Sequence, residues 1–198
     1  VSIGFYGSTL NTRQYATKGY LEKLIAQVFT GRERFEPGNP QEGYSPSPQE
    51  RQSWLQISYM KEAYHTMGPK FTLGWMAEAL YSSKNFSENY TATMMQAGEF
   101  APTPHSKLMY NEAFRANQYV AAGIKPIYVL NDMFQFRTEF YGFTPIFPIK
   151  KNALNKAYYG KAFSRFEYMG EVSVICHLPF GAISAYVNHY SSPRREWN

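Results

Sequence analysis

Residues 134–143, FQFRTEFYGF, alternate between two kinds of side chain with a period of two. Phenylalanine occupies three of the five even-numbered positions, while Gln, Arg and Glu occupy the first three odd-numbered ones. Successive side chains of a β-strand point to opposite faces, so this pattern predicts a strand with one apolar and one polar face. A soluble sheet buries the phenylalanines, whereas an outer-membrane barrel turns them toward lipid.

The same alternation recurs along most of the chain. Residues 70–81, for example, place Phe, Leu, Trp, Ala and Tyr on one face and Lys, Thr, Gly and Glu on the other. Residues 20–30 fit a helix as well as a strand, and their neighbours favour the strand. Roughly ten strands fit the whole pattern. The clearest segments are 20–30, 54–65, 70–81, 90–98, 105–112, 123–130, 133–143, 163–178 and 182–190.

The connections between these segments alternate in length. The short ones, TMGP, ND and PFG, follow residues 65, 130 and 178. The long ones alternate with them along the chain, above all the Pro- and Gly-rich stretch 31–52. Short turns at one end and long polar loops at the other are typical of outer-membrane barrels. Several segments also reach the ~9–11 residues that cross a bilayer.

These patterns predict an all-β protein, an antiparallel up-and-down transmembrane β-barrel. The alternative is a soluble all-β barrel that binds a small apolar ligand. The composition fits the first reading. Aromatic residues make up 18% of the 198 residues and charged residues also 18%, below the ~25% of soluble domains. The mean hydropathy is nevertheless −0.45, as expected where polar and apolar faces alternate.

The sequence offers little for catalysis or metal binding. It contains no Gly-x-Ser-x-Gly nucleophile elbow and no Asp-Gly pair, and its four histidines lack metal-ligand spacing. We therefore expect no catalytic residue, no metal and no cofactor in this chain. The net charge of +5 comes from scattered basic residues, so nucleic acid is not an expected partner. Cys176 stands alone and excludes an internal disulfide.

Four stretches resemble the barrel of the bacterial surface-antigen superfamily, which includes outer-membrane assembly proteins and two-partner-secretion translocators. They are STLNTRQYATKGYLEKLIAQVF, FRANQYVAAG, FRTEFYGFTPIF and GEVSVICHLPFGAISAYVNHY. Their sequence most resembles the barrel that follows a patatin-like phospholipase domain in Bacteroidetes-type bacteria. The resemblance implies that residues 1–198 are the C-terminal portion of one barrel domain of about sixteen strands, without its first strands and its last.

The resemblance also implies a location and partners. The chain would lie in the bacterial outer membrane, as an anchor or translocator for an upstream domain of its parent protein. That domain would be a patatin-like lipid acyl hydrolase. The expected partners are outer-membrane lipid, the remaining strands of the same barrel and the upstream domain, with a homodimer left open.

Phe114–Asn117 matches the family's Val-Arg-Gly motif at the tip of a long loop that folds into the lumen, with Ala116 in place of Gly. The match implies that Arg115 anchors this loop, and we expect Glu139 on a nearby strand as its partner. The alternative is that Arg115 is solvated in an ordinary loop. The other lumen-facing polar residues would be Arg137, Glu167 and Glu171. The lipid-facing residues would be Phe71, Leu73, Trp75, Phe134, Phe136 and Phe140.

Overall fold

The computed structural model describes residues 1–33 and 50–191. The predicted long connection 31–52 therefore lies mostly outside the described residues, although strands extend further into it than expected. The described elements are β1 (Ser2–Ser8), β2 (Gly19–Glu33), β3 (Glu50–Thr66), β4 (Phe71–Ser82), α1 (Tyr90–Gln96), β5 (Gly98–Glu99), β6 (Arg115–Ala116), β7 (Gln118–Val129), β8 (Phe134–Pro145), β9 (Ile149–Lys151), β10 (Ala157–Tyr159), β11 (Glu167–Leu178) and β12 (Gly181–Tyr190).

Eight of the described strands form one antiparallel sheet in the order β1-β2-β3-β4-β7-β8-β11-β12. Each of these strands pairs with the strands of this sheet that come before and after it in the chain. The small hairpins β5–β6 and β9–β10 form two separate two-stranded sheets. The prediction of an antiparallel all-β fold is confirmed. Within the described residues β1 and β12 remain the two edges of the sheet.

The two faces of the sheet differ sharply in burial. Along β8, Phe136 and Phe140 are exposed, whereas Arg137, Glu139 and Tyr141 between and beside them are buried. The adjacent residues Glu139 and Phe140 show the contrast, with 6% and 53% of their surfaces exposed. We call the covered face the inner face and the exposed face the outer face.

Two predicted strands are not strands in the structure. Residues 90–96 form helix α1, because Asn89 caps its first turn by accepting a hydrogen bond from the Ala92 amide at 2.8 Å. The predicted strand 105–112 is replaced by short 3-10 turns at Ser106–Leu108 and Glu112–Phe114. No helix in the described part of the chain is long and apolar enough to cross a membrane.

The connections sort by length as predicted, with one exception. The links β3–β4, β7–β8 and β11–β12 are tight turns at one end of the sheet, where the β1–β2 link, residues 9–18, is longer. The links β4–β7 and β8–β11 are long and lie at the other end. The β4–β7 connection, residues 83–117, folds over the inner face. Its Phe100 and Phe114 are 1% exposed and pack against Tyr119 and Phe143 of the sheet. This connection supplies much of the core that the inner face needs.

The β1–β2 connection, residues 9–18, also crosses the inner face. Its Tyr15 hydroxyl donates to Ser184 Oγ on β12 at 2.8 Å. β1 and β12 lie at opposite edges of the sheet, so a direct contact of this kind requires the sheet to curl. The curl encloses the inner face between residues 9–18 and residues 83–117.

Candidate functional site on the polar inner face

The inner face of β8, β11 and β12 presents a row of three polar side chains. Glu139, Glu171 and Asn188 lie directly opposite one another in the strand register. All three are buried, with 6%, 6% and 3% of their surfaces exposed. Burying such groups is costly unless each finds a partner, so the partners define what this face can do.

Arg137 is the centre of one buried network. Its Nη2 lies 2.9 Å from Glu139 Oε1 and its Nη1 donates to the Ala16 carbonyl oxygen at 2.9 Å. The hydroxyl of Tyr141 donates to the other carboxylate oxygen of Glu139. This network therefore satisfies both buried charges and ties residues 9–18 to the sheet.

Lys125 on β7 forms a second buried pair with Glu62 on β3, across the intervening strand β4. Its Nζ lies 3.0 Å from Glu62 Oε1, and its side chain is 5% exposed. The Tyr64 hydroxyl donates to the same carboxylate. The ring of Tyr64 lies over Gly74 on β4, where an added Cβ would come within 2.7 Å of it. A glycine at this position makes room for the tyrosine that completes the pair.

Cavities lie along the inner face on both sides of residues 9–18. The interior cavity, about 580 Å³, is bounded by residues 9–18, by residues 101–108 and by the charged side chains of the sheet. The end cavity, about 740 Å³, opens between residues 9–18 and the tight turns. Tyr15 lines both. Residues 9–18 therefore separate the two spaces, and Arg137 and Ser184 hold that partition in position.

The predicted Arg115–Glu139 pair is wrong. Arg115 Nη2 lies 2.7 Å from Glu99 Oε2, and its Nη1 donates to the carbonyl oxygens of Met95 and Ala97. The reason is local, because β6 pairs with β5 and places Arg115 opposite Glu99. Glu139 already has Arg137 two residues away on the same face. Arg115 does fix the connection 83–117, but from within it.

A second tether inside that connection joins Tyr90 to Glu112. The Tyr90 hydroxyl donates to the Glu112 carboxylate. Burial of the phenol, together with this carboxylate, raises the pKa of Tyr90 well above its ordinary value. The phenol therefore remains protonated and able to donate. Arg115 and Tyr90 together hold α1 against the 3-10 turns.

The other predicted site residues occupy the two faces as follows. Arg137 and Glu171 are buried on the inner face. Glu167 lies at the start of β11 on the same side, where Arg165 donates to it at 2.8 Å. The six residues predicted to face lipid lie on the outer face, and they are Phe71, Leu73, Trp75, Phe134, Phe136 and Phe140.

Sequence reasoning missed three residues that shape this site. Lys125 precedes a proline in an apolar stretch, where no alternation of polar and apolar residues marks it as part of a site. Tyr15 lies in a connection, where period-two patterns do not apply. Asn188 could have been found, since the alternation along 182–190 puts it on the same face as Ser184. Its position opposite Glu171 depends on the strand register, which side-chain alternation alone does not determine.

Buried carboxylates, the buried side chains of Lys125 and Arg137, and two tyrosines line the interior cavity, where they can donate and accept hydrogen bonds. Among residues 1–33 and 50–191, no group of three or more His, Cys, Asp or Glu side chains is placed to hold a metal ion. Compared with known proteins, the chain matches no family model, no curated protein and no solved structure.

Proposed function

We propose that this chain is part of a transmembrane β-barrel of the bacterial outer membrane, where it serves as a membrane anchor or translocator. The observation that carries the proposal is the reversed burial of the sheet. Charged side chains are buried on the inner face, whereas large apolar side chains are exposed on the outer face. A transmembrane barrel has this arrangement because its outer face meets hydrocarbon.

The outer face is apolar over many strands rather than at isolated points. Monomeric soluble proteins rarely expose contiguous apolar patches beyond a few hundred Å². Large side chains that are at least 38% exposed occur on every strand of the sheet. Examples in strand order are Phe5, Leu24, Val28, Leu55, Ile57, Phe71, Tyr81, Val120, Ile124, Phe136, Phe140, Val172, Val174, Ile183 and Val187.

One ion pair interrupts this face within the described residues. Lys61 Nζ lies 3.4 Å from Glu22 Oε2, and the Tyr59 hydroxyl donates to Glu22 Oε1 at 2.7 Å. Glu22 is three positions from the start of β2 at Gly19, at the end of the sheet that carries the tight turns. The two charges neutralise each other, which lowers the cost of placing them on an apolar face.

Strand length and the free edges add support. β4, β7, β8 and β11 each have 12 residues, more than the ~9–11 that cross a bilayer. Backbone groups at an open edge have no water to bind in hydrocarbon, and each unsatisfied group costs several kcal/mol. β1 and β12 would therefore pair with further strands, which we propose belong to the same barrel.

The resemblance of the sequence motifs extends the proposal to the parent protein. It favours an upstream patatin-like phospholipase domain, for which this barrel would be the anchor or exit route. The test is direct, because the upstream coding sequence would contain a Gly-x-Ser-x-Gly elbow and a downstream Asp-Gly pair. An upstream sequence without them would remove this part of the proposal and leave the barrel untouched.

The soluble alternative fits the inner face poorly. A barrel that holds a small apolar ligand lines its cavity with apolar side chains. The interior cavity instead includes Glu62, Lys125, Arg137, Glu139 and Glu171 in its lining. An apolar ligand would have to contact buried charges there, while the apolar surface of the sheet faced water.

The deciding experiment compares the same kind of change at two exposed positions. Phe140 lies on the outer face of β8 and Met67 lies in the β3–β4 turn, with 53% and 65% of their surfaces exposed. In lipid vesicles, Phe140→Arg should lower the unfolding free energy by ~2–4 kcal/mol near mid-membrane. Met67→Arg should leave it within ~0.5 kcal/mol, as for an ordinary surface change.

In a soluble protein both residues would face water, and both changes would be nearly neutral. Equal small effects, together with folding of the unmodified chain in buffer without lipid or detergent, would contradict the proposal. Unfolding is followed by urea titration with tryptophan fluorescence, because Trp75 lies on the outer face and reports on its surroundings.

A further inference from the structure

The ion pair between Glu22 and Lys61 lies among the apolar side chains of the outer face. The two residues are direct cross-strand partners on β2 and β3. Along β2, Tyr20 and Leu24 flank Glu22 on the same face, and each is 43% exposed. A charged group that faces lipid is costly and generally has a function, so this pair requires an explanation.

The pair neutralises its own charge but leaves hydrogen-bonding capacity unused. A lysine ammonium group has three N–H donors. Lys61 Nζ donates to Glu22 Oε2 at 3.4 Å and to no other group among residues 1–33 and 50–191. Strong charged contacts are shorter, at about 2.7–2.9 Å. The side chains of Lys61 and Glu22 are 36% and 26% exposed, so a second molecule can reach both.

The arrangement of the two charges is complementary to itself. Neighbouring strands lie about 4.7–4.9 Å apart, so a 180° rotation about an axis between β2 and β3 exchanges the positions of Glu22 and Lys61. In a second copy placed face to face by this rotation, Lys61 lies toward Glu22 of the first copy, and Glu22 lies toward its Lys61. Two-fold contacts of this kind are the commonest in oligomers.

The residues beside the pair are small. Gly7 on β1 lies opposite Glu22, and Ala77 on β4 lies opposite Lys61. The same rotation brings Gly7 of each copy toward Ala77 of the other. Small residues at an interface within a membrane let two backbones approach closely. Neither residue has a side chain that would hold the two faces apart.

We propose that two copies of the barrel associate in the membrane through the outer faces of β2 and β3. Each Lys61 ammonium donates to Glu22 of its own copy and to Glu22 of the other, so that four charges form a closed ring. The contact removes donors and carboxylate oxygens from hydrocarbon. This proposal rests on the membrane placement of the outer face proposed above.

The test uses the full-length protein in two forms that carry different affinity tags. Both forms are reconstituted together in lipid vesicles, which are floated on a density gradient and then dissolved in a nonionic maltoside detergent. The mixture is purified through one tag, and recovery of the other tag measures association. We expect unmodified copies to be recovered together.

The decisive variant exchanges the two charges and combines Glu22→Lys with Lys61→Glu. It retains an ion pair within each copy, and identical copies remain complementary to each other. Mixed with the unmodified protein, it places lysine against lysine and glutamate against glutamate. Recovery of the mixed pair should fall about tenfold or more, because like charges across an interface repel each other.

The single changes give the converse result. Glu22→Lys and Lys61→Glu should each fail to associate with copies of their own kind, but a mixture of the two should associate, because opposite charges then meet. The matched control is Lys23→Glu, the same charge change next to Glu22 but on the opposite side of β2. It should leave recovery unchanged.

The outcomes distinguish this proposal from the membrane proposal. An unmodified protein that does not float with the vesicles overturns both. A protein that floats but whose copies are not recovered together overturns the association alone, as does a charge-exchanged variant that pairs equally well with the unmodified protein. If the charge-exchanged variant does not insert, the mixture of the two single variants decides, and its failure to associate overturns the proposal.

Discussion

The ring of Tyr141 lies directly over the backbone of Gly123, its cross-strand partner on β7. A Cβ added at Gly123 would come within 2.1 Å of Tyr141 Cδ1 and 2.8 Å of the Phe140 carbonyl oxygen. The same arrangement joins Tyr64 to Gly74. An aromatic ring that covers a strand glycine replaces the packing that the glycine cannot supply.

Gly123→Ala should therefore destabilise the protein by ~1–3 kcal/mol, the usual cost of an overpacked core. The carbonyl oxygen cannot move without disturbing the sheet, so relaxation of the tyrosine alone does not relieve the clash. The control is Gly31→Ala on β2, where an added Cβ meets no atom within 4 Å. Urea unfolding of both variants checks the prediction, and similar midpoints would contradict it.

A second prediction separates the two kinds of contact that Arg115 makes. Its side chain is 12% exposed, and its guanidinium donates to backbone carbonyls as well as to Glu99, whose side chain is 30% exposed. Arg115→Ala should cost ~1.5–3 kcal/mol, because the carbonyl oxygens of Met95 and Ala97 lose a charged donor. Glu99→Gln should cost less than ~1 kcal/mol, since solvent screens the carboxylate.

The readout for both changes is hydrogen exchange in α1, because Arg115 holds the carbonyls at the end of that helix. Arg115→Ala should speed exchange of the α1 amides while the amides of β8 remain protected. A larger effect from Glu99→Gln than from Arg115→Ala would show that the ion pair, not the carbonyl contacts, holds this segment.

The Arg137–Glu139 pair provides a third prediction. Removing one partner of a buried pair leaves the other charge buried without compensation and typically costs ~3–5 kcal/mol. Arg137→Met should cost more than Glu139→Gln, because Arg137 also donates to the Ala16 carbonyl and to the Tyr64 hydroxyl. The double variant should cost less than the sum of the two changes. A strictly additive cycle would mean that the two charges do not interact.

The contact between Tyr15 and Ser184 provides a fourth prediction. Tyr15→Phe removes only the hydroxyl that reaches β12, and it should cost ~1 kcal/mol, the net worth of a hydrogen bond. Ser184→Ala should cost about the same, and the double variant no more than either single change. Tyr20→Phe on the outer face is the control, since its ring is 43% exposed. Independent effects would contradict the curl inferred for the sheet.

The main sheet was largely predictable from sequence, because side-chain alternation survives wherever one face is covered and the other is not. The alternation at 134–143 assigned Arg137 and Glu139 to one face and Phe140 to the other, and the structure has the same division. The tight turns were predictable for a related reason, since Gly68 and Pro69, or Asn131 and Asp132, mark them locally.

The candidate site was less predictable, because its contacts join residues far apart in the chain. The partner of Arg115 depends on a two-residue hairpin, β5–β6, that is too short to produce a pattern. The reach of Tyr15 to Ser184 spans 169 positions and depends on curvature of the whole sheet. Helix α1 was mistaken for a strand because TATMMQA contains threonines alongside good helix formers, and the Asn89 cap decided the outcome.

The sorting of connections by length also implies an order of events during folding. The hairpins β3–β4, β7–β8 and β11–β12 each close through a tight turn, and isolated hairpins form within ~1–10 μs. Residues 83–117 contact β7, β8 and β12, so their core cannot assemble until those hairpins stand side by side. We therefore expect the hairpins to form first and Phe100 and Phe114 to lose contact with water last.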